Sequence, residues 1–114
     1  MSQNGNADEE GLGDSWAAIR RYWSAPSAEN RAVVRRSILT FEGTHFQYAD
    51  GVPNPERIAQ ESYTLDAALL ERPGAREIQL DLFLDYASKV NLYPKFQAYF
   101  REYQPPLVAI LGKA

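Results

Sequence analysis

The sequence contains no cysteine and only one histidine, His45, among its 114 residues. The absence of cysteine excludes disulfide bridges, thiolate metal sites and a cysteine nucleophile. No apolar run approaches the roughly 20 residues that a membrane-spanning helix needs. The first residues, MSQNGNADEE, include neither a basic segment nor an apolar one, so they do not predict a secretory signal. We therefore expect a soluble cytoplasmic domain that has no membrane partner.

Neither sign of charge dominates, since 12 basic and 15 acidic residues give a formal net charge of −3. This balance argues against nucleic acid as a partner. Five arginines do make the first two predicted helices basic: Arg20, Arg21, Arg31, Arg35 and Arg36. No nucleic-acid-binding motif accompanies them. A salt-bridged or solvated helix face is the favoured interpretation.

The composition is that of one globular domain, with 45% hydrophobic and 24% charged residues. Residues 1–13 are acidic and rich in glycine, and we expect a flexible lead-in there. Residues 14–104 carry helical patterns and contain no internal repeat. Residues 105–114 have a different, extended character.

Apolar residues recur every three or four positions along most of 14–104, which is the spacing of amphipathic helices. Helices are predicted after Asp14 or Ser15 and after Ser27, residues that can cap a helix. The stripe Val34, Ile38, Phe41, His45 and Tyr48 predicts that the second helix continues to Gly51, with a bend at Gly43.

Three further helices are predicted over 62–71, over 75–91 and from Pro94 onward. In the first, Leu65, Ala68 and Leu69 are expected to face inward. The 75–91 helix has two apolar stripes and is expected to be buried on both flanks. These stripes are Ile78, Leu82, Tyr86 and Val90, and Leu80, Phe83, Leu84 and Ala87. On the last helix the expected inner face consists of Phe96, Tyr99, Phe100 and Tyr103.

The run PPLVAIL at 105–111 reads as one short strand that is buried on both faces. A buried strand without a partner leaves its backbone donors and acceptors unpaired. It would therefore pair with a second copy of the chain or belong to a larger sheet. The predicted fold class is all-α, a compact bundle of about five helices with one short C-terminal strand or extended stub at 105–111.

Four stretches resemble the cap (lid) domain of α/β-hydrolases, in the branch that contains haloalkane dehalogenases and epoxide hydrolases. They are QNGN at 3–6 with EEGL at 9–12, GVPNPERI at 51–58, EIQLDLF at 77–83 and LYPKFQ at 92–97. In that family the first stretch follows a strand of the core and the helices after it form the lid. The resemblance implies that 105–111 is the strand through which the chain re-enters the sheet.

The chain contains no Gly-x-Ser-x-Gly or Gly-x-Asp-x-Gly nucleophile elbow. The resemblance places the nucleophile upstream, and the catalytic acid and histidine downstream, of this segment. It implies a lid without catalytic residues of its own, which covers an active site and shapes its substrate pocket. The alternative is a free-standing helical binding or oligomerisation module derived from such a lid.

The candidate substrate-binding residues are aromatic: Phe41, His45, Tyr48, Phe83, Tyr86 and Tyr93. In epoxide hydrolases lid tyrosines donate a hydrogen bond to the opening epoxide, and the resemblance suggests that role for Tyr48, Tyr86 or Tyr93. The competing interpretation is that these rings are buried at the edge of the core while their hydroxyls are hydrated. No metal or other cofactor is predicted, because Glu77, Asp81 and Asp85 read as a solvated helix face.

A lid without its core would expose the face that lines the cavity. We expect that face to include the Leu80 stripe and the region of Tyr48, and to favour a homodimer, as the terminal strand also would. An apolar small molecule is a further possible partner. A third hypothesis is an enzyme that uses Tyr48, His45 and a carboxylate as general acid and base.

Overall fold

The computed structural model describes residues 12–110, which form six α-helices and no β-strand. In chain order these are α1 (Ala17–Ser24), α2 (Ala28–Ile38), α3 (Phe41–Ala49), α4 (Gln60–Leu70), α5 (Ala75–Val90) and α6 (Tyr93–Tyr103). Single turns of 3-10 helix lie at Asp14–Trp16 and Pro55–Arg57. The all-α prediction is confirmed. No helix of the described segment is both long and apolar enough to cross a bilayer.

The corner between α2 and α3 corrects the prediction of one continuous helix. The Ser27 hydroxyl caps α2, as expected, by accepting from the backbone N–H of Asn30 at 3.2 Å. Thr40 caps a new helix in the same way, and its Oγ1 accepts from the N–H of Gly43 at 3.1 Å. A Cβ on Gly43 would lie 2.5 Å from the carbonyl oxygen of Ser37. Gly43 therefore permits a close approach of two helices rather than a bend within one.

The core lies where α1, α2 and α5 meet. Val34 and Leu80 are fully buried, Tyr22 is 1% exposed, and Ile19 and Leu39 complete the cluster. The molecule measures 44 × 38 × 23 Å, so its smallest dimension equals about two helix diameters of 10–12 Å. Two layers of helices enclose a small core.

The orientation of α5 differs from the prediction. Leu80 is fully buried, and Phe83 and Leu84 pack against the core, whereas Ile78 is 59% and Leu82 57% exposed. Burial on both flanks is therefore wrong for the first half of α5, and the expected exposure of the Leu80 stripe is wrong as well. Ile78 and Leu82 lie on the side of α5 away from the small core, whereas Tyr86 and Val90, at the other end of the same stripe, are half-buried.

The inner faces of α4 and α6 also differ from expectation. On α4 the buried residues are Tyr63 and Ala67, while Leu65 is 60% exposed. Both sets have helical spacing, so periodicity alone did not distinguish them. On α6 only Tyr93 is buried, and the predicted inner residues Tyr99 and Tyr103 are exposed.

The predicted C-terminal strand is not formed by residues 105–110, which carry no helix or strand. Leu107 and Ile110 are 80% and 92% exposed. A strand needs a second strand to satisfy its backbone donors and acceptors. Residues 12–110 contain no other strand, so 105–110 stay exposed to solvent. Leu111 and the residues after it lie outside the described residues, as do residues 1–11 of the predicted lead-in.

Ion pairs on the surface of the molecule join α2 to α5. The Arg31 guanidinium donates to Glu77 Oε2, to Asp81 Oδ1 and to the Tyr22 hydroxyl, each at 2.8 Å, and Arg35 also donates to Glu77. These bonds lower the pKa of Glu77, with Arg31 the larger cause and Arg35 the next. The salt-bridged interpretation is thus confirmed for these two arginines, while Glu77 and Asp81 are paired rather than merely solvated.

The packing of α5 predicts a contrast between two leucines on that helix. Leu80→Ala should lower the free energy of unfolding by about 2–5 kcal/mol, because it leaves a cavity in a filled core. Leu82→Ala should change it by less than about 0.5 kcal/mol, the usual range for surface positions. Urea denaturation followed by circular dichroism measures both. Equal losses would contradict the orientation of α5.

The close contact between α2 and α3 predicts that Gly43→Ala destabilises the fold, which is the opposite of its usual effect in a helix. In an exposed helix interior this change usually stabilises by about 0.5–1 kcal/mol. Here the new methyl group would overlap the carbonyl oxygens of Ser37 and Ile38, so we expect a loss of about 1–3 kcal/mol. Thermal unfolding monitored by circular dichroism measures the sign, and a rise in the midpoint would show that α2 and α3 are not in this contact.

The ion pairs predict a pH dependence of stability. A carboxyl whose pKa is lower in the native than in the unfolded state stabilises the fold above the unfolded value, here near 4.5, and ceases to do so as pH falls through the native value. Glu77→Gln should therefore lower the unfolding temperature at pH 7, and the difference from wild type should shrink as the pH falls below about 4.5. Asp85→Asn on the same helix should have little effect at either pH. A Glu77→Gln deficit independent of pH would contradict the ion-pair assignment.

Candidate functional site

An open cavity of about 310 Å³ lies where the C-terminal end of α2 meets α3, α4 and α5. Its volume is at the lower end of the range for small-molecule sites. One side is apolar and the other is polar. The lining residues are Ile38, Leu39, Thr44, Gln47, Tyr48, Asp66, Leu69, Leu70, Gln79 and Phe83.

A hydrogen bond between two helices marks the polar side of the cavity. The Tyr48 hydroxyl on α3 donates to Oδ2 of Asp66 on α4 at 2.5 Å. This bond, more than the partial burial that accompanies it, raises the pKa of the Tyr48 phenol above its ordinary value of 10.0. The hydroxyl proton of Tyr48 is thus directed at Asp66.

The three candidate residues of α3 surround one ring of α4. The centroid of the buried Tyr63 ring lies 5.8 Å from that of Phe41, 4.7 Å from that of His45 and 6.2 Å from that of Tyr48, each in an edge-to-face arrangement. Phe41, His45 and Tyr48 lie on the same side of α3 because their spacing of four and three residues matches the helical repeat. His45 itself is exposed.

Two of the other three candidates, Tyr86 and Tyr93, belong to a second aromatic group beside α1. The Tyr86 ring packs on Trp16 and Trp23, with centroids 5.3 and 6.2 Å away. The hydroxyls of Tyr86 and Tyr93 lie 3.0 Å apart, and one donates to the other. Trp23 donates its indole N–H to the Phe83 carbonyl oxygen at 2.6 Å, which fixes α1 against α5.

The six candidate residues thus divide between two places. Phe41, His45 and Tyr48 form one group, while Tyr86 and Tyr93 form another that consists largely of packed rings. Phe83 connects the two, since its backbone bonds Trp23 and it lines the same cavity as Tyr48.

Of the ten residues that line the cavity, only Tyr48 and Phe83 were among the candidate site residues, and the charged Asp66 is the most important one that sequence reasoning missed. The prediction took Leu65 and Leu69 as the inner face of α4, and on that basis nothing indicated that Asp66 would contact another helix. The correct face, through Tyr63, Ala67 and Leu70, has the same helical spacing and brings Asp66 beside α3. Tyr63 is the one member of that set with an aromatic ring, and it is the signal that could have identified the face.

A second cavity of about 300 Å³ lies at the start of α5 and is lined by Arg35, Arg72 and Arg76 with Glu71 and Glu77. Two of its arginines already have carboxylate partners, since Arg35 pairs with Glu77 and Arg76 with Glu71. Within residues 12–110, no three acidic or histidine side chains are grouped so that they could hold a metal ion.

The sequence is 39% identical over 117 aligned positions to a protein of Saccharomyces cerevisiae that is named an uncharacterized hydrolase. The alignment covers 98% of this chain but 40% of the relative, so the chain spans about two fifths of the length of the protein it matches. No protein-family model matches the sequence, and no solved structure matches it. The chain is therefore similar, over nearly its whole length, to part of a longer hydrolase.

Proposed function

We propose that this chain is the lid domain of an α/β-hydrolase, similar to those of haloalkane dehalogenases and epoxide hydrolases. It would cover the active site and shape the substrate pocket without catalysing hydrolysis by itself. The proposal rests on the alignment with the yeast protein, which covers 98% of this chain but only 40% of that hydrolase. The chain therefore corresponds to one segment of a longer protein, as a lid domain would.

The all-helical architecture supports this role. An α/β-hydrolase body is built on a sheet, and its lid is an added helical layer. The segments that carry the resemblance include the turn after α3 at 51–58, the middle of α5 at 77–83 and the start of α6 at 92–97. The first and last of these are helix boundaries, which set how successive helices of a lid are oriented.

Exposed apolar side chains provide a second line of support. Ile78 and Leu82 lie four residues apart on the outer side of α5, and each is more than half exposed. Phe46 on α3 is 57% exposed and Leu65 on α4 is 60% exposed. Contiguous exposed apolar surface is typical of a surface that another body covers, and Ile78 and Leu82, one helical turn apart, are one such neighbouring pair. A hydrolase body beneath the lid would provide that cover.

The hydrogen bonds around the tyrosines bear on how such a lid would act. An electrophilic role would require the Tyr48 proton to leave Asp66 and point at a substrate. In the Tyr86–Tyr93 pair, one hydroxyl proton is engaged in the bond between them. We infer that the cavity residues position the substrate, with Tyr48 and Asp66 acting as a fixed pair.

The free-standing module remains the alternative function, and one observation favours it. The cavity has both a polar and an apolar side formed entirely by this chain, so it needs no second domain to be complete. The two functions differ in whether the chain changes the activity of a hydrolase body.

A chimera separates these functions. The aligned segment of the yeast relative is replaced by this chain, and hydrolysis is measured on chromogenic esters, epoxides and haloalkanes. We expect the chimera to hydrolyse the substrates that the relative accepts, with altered relative rates, and the isolated chain to hydrolyse none. Replacing the segment by a glycine-serine linker should abolish the discrimination between substrates, because water and substrate then enter freely.

Within the chimera, Tyr48→Phe should change kcat/KM several-fold, since it releases Asp66 at the cavity. Tyr103→Phe, at an exposed position of α6, is the matched control and should change it less than twofold. A folded chimera that is inactive on every substrate of the relative would contradict the lid assignment. Turnover by the isolated chain that His45→Ala abolishes would instead support the general acid–base hypothesis.

A further inference from the structure

We propose that the cavity between α3, α4 and α5 selects small organic molecules that join a cationic hydrogen-bond donor, such as an ammonium group, to an apolar body. The donor would bind Asp66, and the apolar body would lie toward Leu69 and Phe83. The inference rests on the proposed function in one respect, since it names the class of substrate that such a lid would admit.

Charge supplies the first argument. Asp66 is the one charged residue among the described residues that line the cavity. Its Oδ2 accepts the hydrogen bond from Tyr48, while Oδ1 has no partner within residues 12–110. A carboxylate has lone pairs for several donors, so Oδ1 can accept a bond from a ligand. An anionic ligand at the same place would be repelled.

Three polar side chains beside Asp66 already use a donor on the protein. The Thr44 hydroxyl already donates to the Thr40 carbonyl oxygen at 2.8 Å, and the Gln47 amide already donates to the Gly43 carbonyl oxygen at 3.3 Å. Tyr48 likewise donates to Asp66. Thr44 and Tyr48 have used their single hydroxyl proton in this way and keep lone pairs that can accept, whereas the Gln47 amide keeps a second N–H. A ligand that brings donors can therefore bond the oxygens of Thr44 and Tyr48 in addition to Asp66.

Rigidity supplies the second argument. The Tyr48–Asp66 bond joins α3 to α4, and the Tyr48 ring is held in turn against the buried Tyr63. The carboxylate is therefore oriented before any ligand arrives, which reduces the entropy lost on binding.

Size and apolar surface define the remainder of the ligand. A volume of about 310 Å³ accommodates a single aromatic ring with a short side chain. Ile38, Leu69 and Phe83 provide apolar contact for that body. Leu69 is 44% exposed and so remains available to a ligand.

Three probes of nearly equal size test the selection: 2-phenylethylammonium, 2-phenylethanol and phenylacetate. Each is titrated at pH 7 into the isotopically labelled chain, and amide chemical shifts report both affinity and location. We expect the ammonium probe to bind with a dissociation constant on the order of millimolar, the scale for a ligand of this size. The alcohol should bind several-fold more weakly and phenylacetate should not bind measurably. The shifts should concentrate on the cavity-lining parts of α3, α4 and α5.

Two variants assign the selection to Asp66. Asp66→Asn keeps the shape of the side chain and an oxygen for the Tyr48 hydroxyl, and it should weaken ammonium binding about tenfold by removing a charge-assisted bond. Glu61→Gln removes the same charge from an exposed position of the same helix and should change the affinity less than twofold. Leu69→Asn should weaken binding of both the ammonium and the alcohol probes.

Equal binding of phenylacetate and 2-phenylethylammonium would overturn the proposal, as would unchanged ammonium binding in Asp66→Asn. Absence of binding by all three probes, or shifts confined to another part of the chain, would also overturn it. Binding is measured without hydrolysis, so this test and the chimera experiment can fail independently.

Discussion

The burial of Leu80 against Val34 and Tyr22 is the contact on which the rest of the structure depends. It places α5 against both α1 and α2, and it sets the rotation of α5 about its own axis. With Leu80 inward, Phe83 lines the cavity, Glu77 and Asp81 lie beside Arg31, and Ile78 and Leu82 face outward. The ion pairs then reinforce an arrangement that apolar burial has already selected, since exposed pairs contribute little by themselves.

The corner between α2 and α3, at Leu39 and Thr40, has the second largest consequence. Because the chain changes direction there, α3 packs beside α4, and Tyr48 contacts Asp66. The cavity lies between the end of α2 and the helices α3, α4 and α5. A larger residue at position 43 would contact the backbone of α2, so this glycine is a condition for the site and not merely a weak point in a helix.

Much of the fold could be predicted from the sequence. The cap at Ser27 and the long helix beginning at Ala75 follow from local chemistry, which a single sequence contains. The faces of α4 and α5 could not be predicted in this way, because each helix has two apolar stripes of equal periodicity. Only tertiary packing decides that Tyr63 and Leu80 are buried while Leu65 and Leu82 are exposed.

The candidate site divides in the same manner. Phe41, His45 and Tyr48 were expected to share a helix face, and they do. Their common partner, Tyr63, and the carboxylate of Asp66 lie on another helix, and the pairing of helices depends on contacts far apart in the sequence. The split between the Tyr63 group and the Tyr86 group has the same origin.

The chain is similar over 98% of its length to 40% of a protein named a hydrolase, and we propose that it is one layer of such a larger protein. In that proposed role the lid would limit access by shape and charge, and the reacting groups would belong to the body beneath it. The Asp66 carboxylate in the cavity would give the lid a chemical preference in addition to a steric one.

The most direct measurement is a crystal structure of the chimera between this chain and the body of the yeast hydrolase. The lid account predicts that the helices lie over the active-site cleft of the body, with the cavity of Tyr48 and Asp66 open toward it. Helices packed on the far side of the body, or a cavity that faces away from the cleft, would contradict the account.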